Sequence, residues 1–239
     1  MNKVKTYIEE FDKLIDGGFY PNSANLIIGK TGTGKSSFCI SFAYYGAKNK
    51  EPCVYVSTEE SIEDIKKDAM EVFNWNLEEL EKENLLKFIS FRRELPTEIT
   101  EGDEKRIIRL YISDIIRQIT NAVTEINARR IVFDSISTLE LFIRDKYLAR
   151  NIIMDLIDKL KELKVTSLLT GTLPEEGEKL STLGIIEFLV DGIIKLDFVP
   201  VVEKFKRTLT IRKMRRVNHS TLIHPFEITR EGIKILEIK

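Results

Sequence analysis

Two cysteines, Cys39 and Cys53, and two histidines, His219 and His224, are the whole stock of thiol and imidazole in this 239-residue chain. Their separations fit no zinc-ligand spacing, so no structural zinc is expected. Both cysteines sit in apolar surroundings that read as a helix interior and the start of a buried strand, where a thiol acts as a small core hydrophobe. Charge of one sign is lacking as well: 37 Lys and Arg against 38 Asp and Glu leave a net charge of -1. Bulk electrostatics therefore favours neither nucleic acid nor an anionic membrane, and any polyanion must be met by a local cluster of cations. No uninterrupted apolar run approaches the ~20 residues that a membrane helix needs, and residues 1–15 hold no signal core, which predicts a cytoplasmic protein without membrane contact. At 43% hydrophobic, the chain suffices for one substantial domain over residues 1–239 and is short for two.

What is present begins with Gly29-Lys30-Thr31-Gly32-Thr33-Gly34-Lys35-Ser36, which fits the spacing G-x-x-x-x-G-K-[ST]. The bare pattern arises by chance in roughly one chain per hundred of this length. Here it lies between an apolar run, Leu26-Ile27-Ile28, and an apparent helix beginning near Ser36. Glycines let such a loop wrap closely enough for backbone N–H groups to point inward, and the following helix N-terminus adds positive field at the same spot. The natural occupant is a polyphosphate. Residues 29–36 together with Ser37 form the candidate nucleotide-binding segment, with Lys35 reaching the β- and γ-phosphates and the Ser36 hydroxyl completing the coordination of Mg²⁺.

Extended and helical segments alternate through most of the chain, the pattern of an α/β protein with a mainly parallel sheet. Strands are predicted at Cys53–Ser57, Leu85–Ser90, Ile131–Phe133 and Val165–Thr170. A helix is predicted over Ser61–Phe73 with Ser61 as its cap. From Asp103 to Asn127, Ile108, Ile112, Ile115, Ile119, Val123 and Ile126 recur at helical spacing and mark a core-facing stripe, as do Leu148, Ile152, Leu156, Leu160 and Leu163 further on. Gly171 to Lys179, rich in Gly, Pro and Glu, reads as a loop. Beyond it, Gly192–Val199, Thr208–Lys213, Leu222–Ile228 and Ile233–Ile238 follow without long helices between them, which predicts antiparallel hairpins at the sheet edge.

In an open parallel sheet the ligand sits beyond the carboxyl ends of the strands. Three polar strand ends qualify. Asp134, after Ile131-Val132-Phe133, is a candidate Mg²⁺ carboxylate, with a simple turn cap as the alternative. Glu59-Glu60, after the second strand, could position or deprotonate the water that attacks the γ-phosphate, and could equally be a solvated turn. The Thr170 hydroxyl could sense the γ-phosphate, although threonine is also a common strand residue.

This set resembles the RecA superfamily and, within it, the KaiC-like ATPases, including the single-domain archaeal members described as RadA paralogues. The likeness covers nearly the whole chain: Phe11-Asp12-Lys13-Leu14-Ile15-Asp16-Gly17-Gly18 ahead of the phosphate loop, Thr58-Glu59-Glu60-Ser61, Arg212-Lys213-Met214-Arg215-Arg216-Val217-Asn218-His219, and His224-Pro225-Phe226-Glu227-Ile228-Thr229. The resemblance implies a RecA-like P-loop fold, with helices flanking a mainly parallel central sheet and antiparallel C-terminal hairpins, and an ATPase that uses ATP and Mg²⁺. It implies that the paired acids include the catalytic glutamate. It also implies that Lys213, Arg215 and His219 reach the nucleotide of a neighbouring subunit, so that hydrolysis requires a homo-oligomer, a ring of six being the family expectation. Arg216 stands where that family usually has glycine.

Lys204, Lys206, Arg207, Arg212, Lys213, Arg215 and Arg216 crowd the same C-terminal region. The cluster can serve as a solvated face, as a contact to a neighbour's nucleotide, or as a patch for single-stranded DNA, for which Phe205 is the one interleaved aromatic. The loop Thr172–Thr182, where recombinases of this superfamily keep a DNA-contacting loop, carries Glu175, Glu176 and Glu178 against Lys179, a balance that repels phosphate. The leading expectation is an oligomeric ATPase. Its rivals are a nucleotide-gated scaffold with little turnover and a recombination accessory protein that binds single strands.

Overall fold

Six strands line up in parallel at the centre of the chain's computed structural model, which describes residues 2–91, 104–143, 145–173, 184–201 and 204–236. They are β1 (Ala24–Gly29), β2 (Cys53–Ser57), β3 (Leu86–Ser90), β4 (Arg130–Asp134), β5 (Thr166–Thr172) and β6 (Gly192–Val201). β7 (Lys204–Met214), β8 (Ile223–Thr229) and β9 (Gly232–Ile235) add antiparallel strands at one edge, giving the order β3-β2-β4-β5-β1-β6-β7-β8-β9. β6, expected with the antiparallel hairpins, instead joins the parallel part of the sheet beside β1 and is antiparallel only to β7. β1 and β2 are buried along their full length. Covered on both faces, they show continuous hydrophobicity instead of alternation.

One face of the sheet is covered by α1 (Glu9–Leu14), α2 (Lys35–Lys48), α3 (Ile62–Phe73) and α4 (Leu77–Lys82), whose Phe11, Phe38, Phe42, Ile65 and Leu80 pack with Ile27, Tyr55, Val132 and Leu168. The opposite face receives α5 (Glu104–Glu125), α6 (Ser137–Phe142), α7 (Lys146–Glu162) and α8 (Ile186–Leu189). The α5 stripe from Ile108 to Ile126 lies wholly within that second core, as its periodicity predicted. Ser61 caps α3 by accepting from the Asp64 N–H. Helices α1, α4, α6 and α8 were not legible, since six residues or fewer make too little of a period to see.

Two expected boundaries are corrected. Gly171 and Thr172 belong to β5, paired beside Ile28 and Gly29, because a strand next to β1 gains ladder bonds that a loop would forgo. The last strand stops at Ile235. The remainder of the expected Gly/Pro/Glu loop, residues 174–183 with Glu175, Glu176, Glu178 and Lys179, lies outside the described residues, as do residues 237–239. The turn after β7 places Arg216 at φ 63°, the left-handed conformation that glycine adopts without strain. Its guanidinium lies 5.0 Å above the Tyr20 ring.

At the opposite end of the parallel strands from the phosphate loop, Arg130 opens β4 with 0% exposure. Its Nε donates to Glu51 Oε2 at 2.8 Å, and the Phe42 ring faces its guanidinium at 4.6 Å. This buried cation ties β4 to the far end of α2, the helix that grows out of the phosphate loop.

Candidate functional site

β1 ends at Gly29, and the chain wraps from there into α2. A Cβ on Gly29 would lie 2.5 Å from Thr33 Oγ1 and 2.8 Å from the Leu196 carbonyl oxygen, so the loop can close only on glycine. Gly34, at φ 103°, turns the chain into the helix, and Ile228 of β8 packs against it, 3.0 Å from where a Cβ would stand. The first intrahelical bond recorded for α2 runs from Phe38 N to Gly34 O at 3.0 Å. The N–H groups of Lys35, Ser36 and Ser37 therefore have no acceptor within the helix, the arrangement by which a helix N-terminus suits an anion. Lys35 Nζ donates to the Gly29 and Lys30 carbonyls at 2.8 and 3.1 Å. Burial lowers its pKa, and the nearby Asp134 and Glu59 partly restore it.

The register of the parallel strands brings the candidate acids to this hollow. Ser57 lies beside Asp134 and Ile27 beside Thr170, so the ends of β2, β4 and β5 flank the mouth of β1. A cavity of ≈ 430 Å³ opens there, lined by Lys35, Ser36, Glu59, Glu60, Asp134 and Arg207 among others. Its other wall is apolar, formed by Ile40, Ile65, Ala69, Val72 and Phe73 from α2 and α3 and by Ile228. Glu59 Oε1 accepts from the hydroxyls of Ser135 and Thr138, the latter at 3.3 Å. Thr138 is in turn 2.9 Å from the Thr58 hydroxyl. The Glu60 carboxyl is raised above its ordinary range, first by loss of hydration and then by Asp134 and the other acids around it. Asp134 accepts from Tyr55 Oη at 2.9 Å through Oδ2 and from the Thr170 hydroxyl through Oδ1. Burial pushes the Tyr55 phenol well above its usual pKa, so it stays a donor.

Ser36 and Asp134 offer a hydroxyl and a carboxylate to the one cavity. No group of three or more His, Cys, Asp and Glu that could hold a metal by itself occurs among the described residues. Such a sparse hard-oxygen set fits Mg²⁺, which completes its shell with phosphate oxygens and water. It fits zinc poorly.

Thr170 spends its hydroxyl on Asp134. Lys213, Arg215 and His219 lie elsewhere. Lys213 pairs with Ile193, which lies beside Leu26, three residues before Gly29; at about 3.3 Å per residue and about 4.8 Å per strand, that is roughly 14 Å from the loop. Its Nζ donates to the Glu187 and Val190 carbonyls at 3.0 and 2.6 Å. Arg215 pairs with Asp191 at 3.6 Å, and His219 Nδ1 lies 3.0 Å from the Ser220 carbonyl. None of the three lines its own chain's cavity.

The reading of the sequence missed four contributors. Arg207, taken only as one member of a basic run, turns from β7 toward the phosphate loop. Its Nη2 lies 3.4 Å from the Gly32 carbonyl, and its buried Nε has no hydrogen-bond partner among the described residues. Tyr55 reads as core, the one signal being a phenol where a phenyl ring would pack. Ser135 and Thr138 carry no sequence signal of their own, because their role depends on Glu59 folding back over the end of β4.

Comparison with known proteins shows what the chain as a whole is similar to. The family model "ATPase: KaiC" matches residues 4–239. A UPF0273 protein of Thermotoga maritima is 36% identical over 237 residues, covering 98% of this chain and 96% of its own. The circadian clock oscillator protein KaiC of Nostoc is 32% identical over 239 residues, of which this chain spans only 45% of the length. The crystal structure of a KaiC-like protein from Pyrococcus horikoshii superposes with a TM-score of 0.83 at 35% identity, covering 98% of this chain and 99% of that one. No helix among the described residues is long and apolar enough to cross a membrane.

Proposed function

Because the chain belongs to the KaiC ATPase family, we propose that it is a Mg²⁺-dependent ATP hydrolase that works as a homo-oligomer, with each nucleotide held by one subunit and completed by the next. The observation that carries this reading is the meeting, in one cavity, of the phosphate loop, Ser36, Asp134 and the Glu59-Glu60 pair. Residues 29–37 wrap the phosphates, while the apolar wall from Ile40 to Phe73 suits a planar base. Ser36 and Asp134 would hold Mg²⁺, which supplies charge neutralisation on the β- and γ-oxygens when bound. Glu59, fixed through one oxygen by Ser135 and Thr138, keeps Oε2 for a water in line with the γ-phosphate. Glu60 adds negative charge beside it.

The displacement of Lys213, Arg215 and His219 from their own cavity supports a role in trans. Lys213 and Arg215 do not serve the phosphates of their own chain, and Arg215, half exposed beside Asp191, can turn to those of a neighbour. Such cations stabilise charge developing on the γ-phosphate, a contribution of about 10³–10⁵ in turnover. Heterologous contacts of this kind close into a ring.

Subunit mixing tests the proposal. Lys35→Ala and Arg215→Ala proteins should each be inactive. Mixed, they should recover about a quarter of native phosphate release, since one interface in four pairs an intact loop with an intact arginine. If wild-type protein turns over no faster than Lys35→Ala, the hydrolase reading gives way to a nucleotide-gated scaffold. If mixing restores nothing while wild type is active, the sharing of the site fails.

A second reading, binding of single-stranded DNA, draws on one observation: Phe205 is 72% exposed between the exposed Lys204 and Lys206 on β7. Binding of an oligonucleotide that weakens with salt and is lost in Phe205→Ala would favour it.

A further inference from the structure

Tyr55 stands in the middle of a strand buried along its length, at 1% exposure, where packing alone asks for a hydrocarbon ring. The ring meets that need, lying 5.6 Å from the Phe88 ring. The hydroxyl is surplus to packing and costs free energy in such a place unless it is bonded. It is bonded to Asp134, the acid at the mouth of the cavity, through Oδ2 at 2.9 Å. From the other side, on β5, Thr170 donates to Oδ1 of the same carboxylate. β4 lies between β2 and β5 in the sheet, so the two donors grip Asp134 from both neighbouring strands. An ionised carboxylate has about four acceptor positions. With one on each oxygen taken, the remaining pair is left for the cavity and free rotation about the Cβ–Cγ bond is prevented.

We propose that Tyr55, with Thr170 opposite, is a positioning residue that fixes the Asp134 carboxylate and thereby sets the affinity of the site for a divalent cation carried by the nucleotide. The inference rests on the proposed role of Asp134 in holding Mg²⁺ and deepens it. Thr170 does not line the cavity, and Tyr55, which does, spends its hydroxyl on Asp134. Both act through the acid, as partners in the outer shell of a metal site do when they hold a ligand in its productive orientation. A role confined to satisfying buried polar atoms would change the stability of the fold and leave cation affinity alone.

The two roles separate in a titration of Mn²⁺, followed by loss of its free spin-resonance signal, in the presence of a non-hydrolysable ATP analogue. Native protein, Tyr55→Phe, Thr170→Val and Thr170→Ser are compared, together with binding of the same analogue in EDTA. Tyr55→Phe keeps the ring and Thr170→Ser keeps the hydroxyl. The expected result is a Mn²⁺ midpoint raised about tenfold in Tyr55→Phe and in Thr170→Val, a near-native midpoint in Thr170→Ser, and analogue binding in EDTA unchanged in all. A native midpoint in Tyr55→Phe overturns the proposal and leaves the hydrolase reading standing, as does a weakening of the same size in EDTA. Absence of any saturable Mn²⁺ uptake by the native protein with the analogue overturns both.

Discussion

Glu51→Ala should unfold this protein more easily than any comparable surface change, because it strands the buried Arg130. The guanidinium has 0% exposure, and its Nε and Nη2 both bond Glu51 Oε2. Its other recorded hydrogen bond is a weak one to the Phe42 carbonyl at 3.5 Å. Removing one partner of a fully buried pair costs about 3–5 kcal/mol. The Glu51 side chain keeps 25% exposure, so water can enter the vacated space, and a loss of about 2–3 kcal/mol is the fitting expectation. In a chain of this size that lowers Tm by about 5–10 °C. Guanidinium denaturation and calorimetry of Glu51→Ala, Arg130→Met and the double variant form a cycle, in which the double should lose less than the sum of the singles, since an apolar pair leaves no stranded charge. A Glu51→Ala protein within about 0.5 kcal/mol of native, or a strictly additive cycle, would refute the assignment of this pair as the tie between β4 and α2. Because Arg130 and Asp134 sit at opposite ends of β4, the Mn²⁺ midpoint should stay native in Glu51→Ala, in contrast to Tyr55→Phe.

Arg207→Met should weaken binding of a fluorescent ATP analogue about tenfold, the worth of one charged hydrogen bond, while Arg212→Met, from the same basic run, should leave it unchanged; equal effects would return Arg207 to the solvated face. Arg216→Gly should be more stable than Arg216→Ala by about 1 kcal/mol, since both lose the contact to Tyr20 and only alanine keeps a strained φ; chemical denaturation of the two decides it. Glu60 has a folded pKa above its unfolded value, so the folded state binds the extra proton, and stability is lost as pH rises from the ordinary carboxylate range through the raised value. Glu60→Gln should therefore melt higher than native protein at neutral pH, with the gap closing as pH falls below that range, and a gap that does not depend on pH would contradict lost hydration and neighbouring acids as the cause.

The phosphate loop was legible because its constraint is local: glycine spacing, the apolar run before it and the helix after it are all contiguous, and in the structure Gly29 has close approaches that forbid a side chain while Gly34 has the positive φ that favours glycine. Asp134 and Glu59 were legible as polar residues terminating apolar runs. What they touch was not. Tyr55, Ser135 and Thr138 acquire roles only once β2 and β4 are paired in one register, which places a phenol from one strand under the acid of another. The short helices escaped notice because six residues give less than two turns of period.

By itself, then, the amino-acid order determined the longer strands and helices, the alternation that makes a mainly parallel sheet, and the phosphate loop at residues 29–36, since each follows from the chemistry of near neighbours along the chain. Only the tertiary structure decided which cations of the C-terminal run face that cradle. Arg207 turns in, while Lys213, roughly 14 Å away, is held by the Glu187 and Val190 carbonyls and Arg215 pairs with Asp191. The physical reason is that an extended strand advances about 3.3 Å per residue, which separates residues six positions apart by roughly 20 Å, and that β7 runs antiparallel to β6, which puts its Arg207 part and not its Lys213 part at the phosphate-loop end of the sheet.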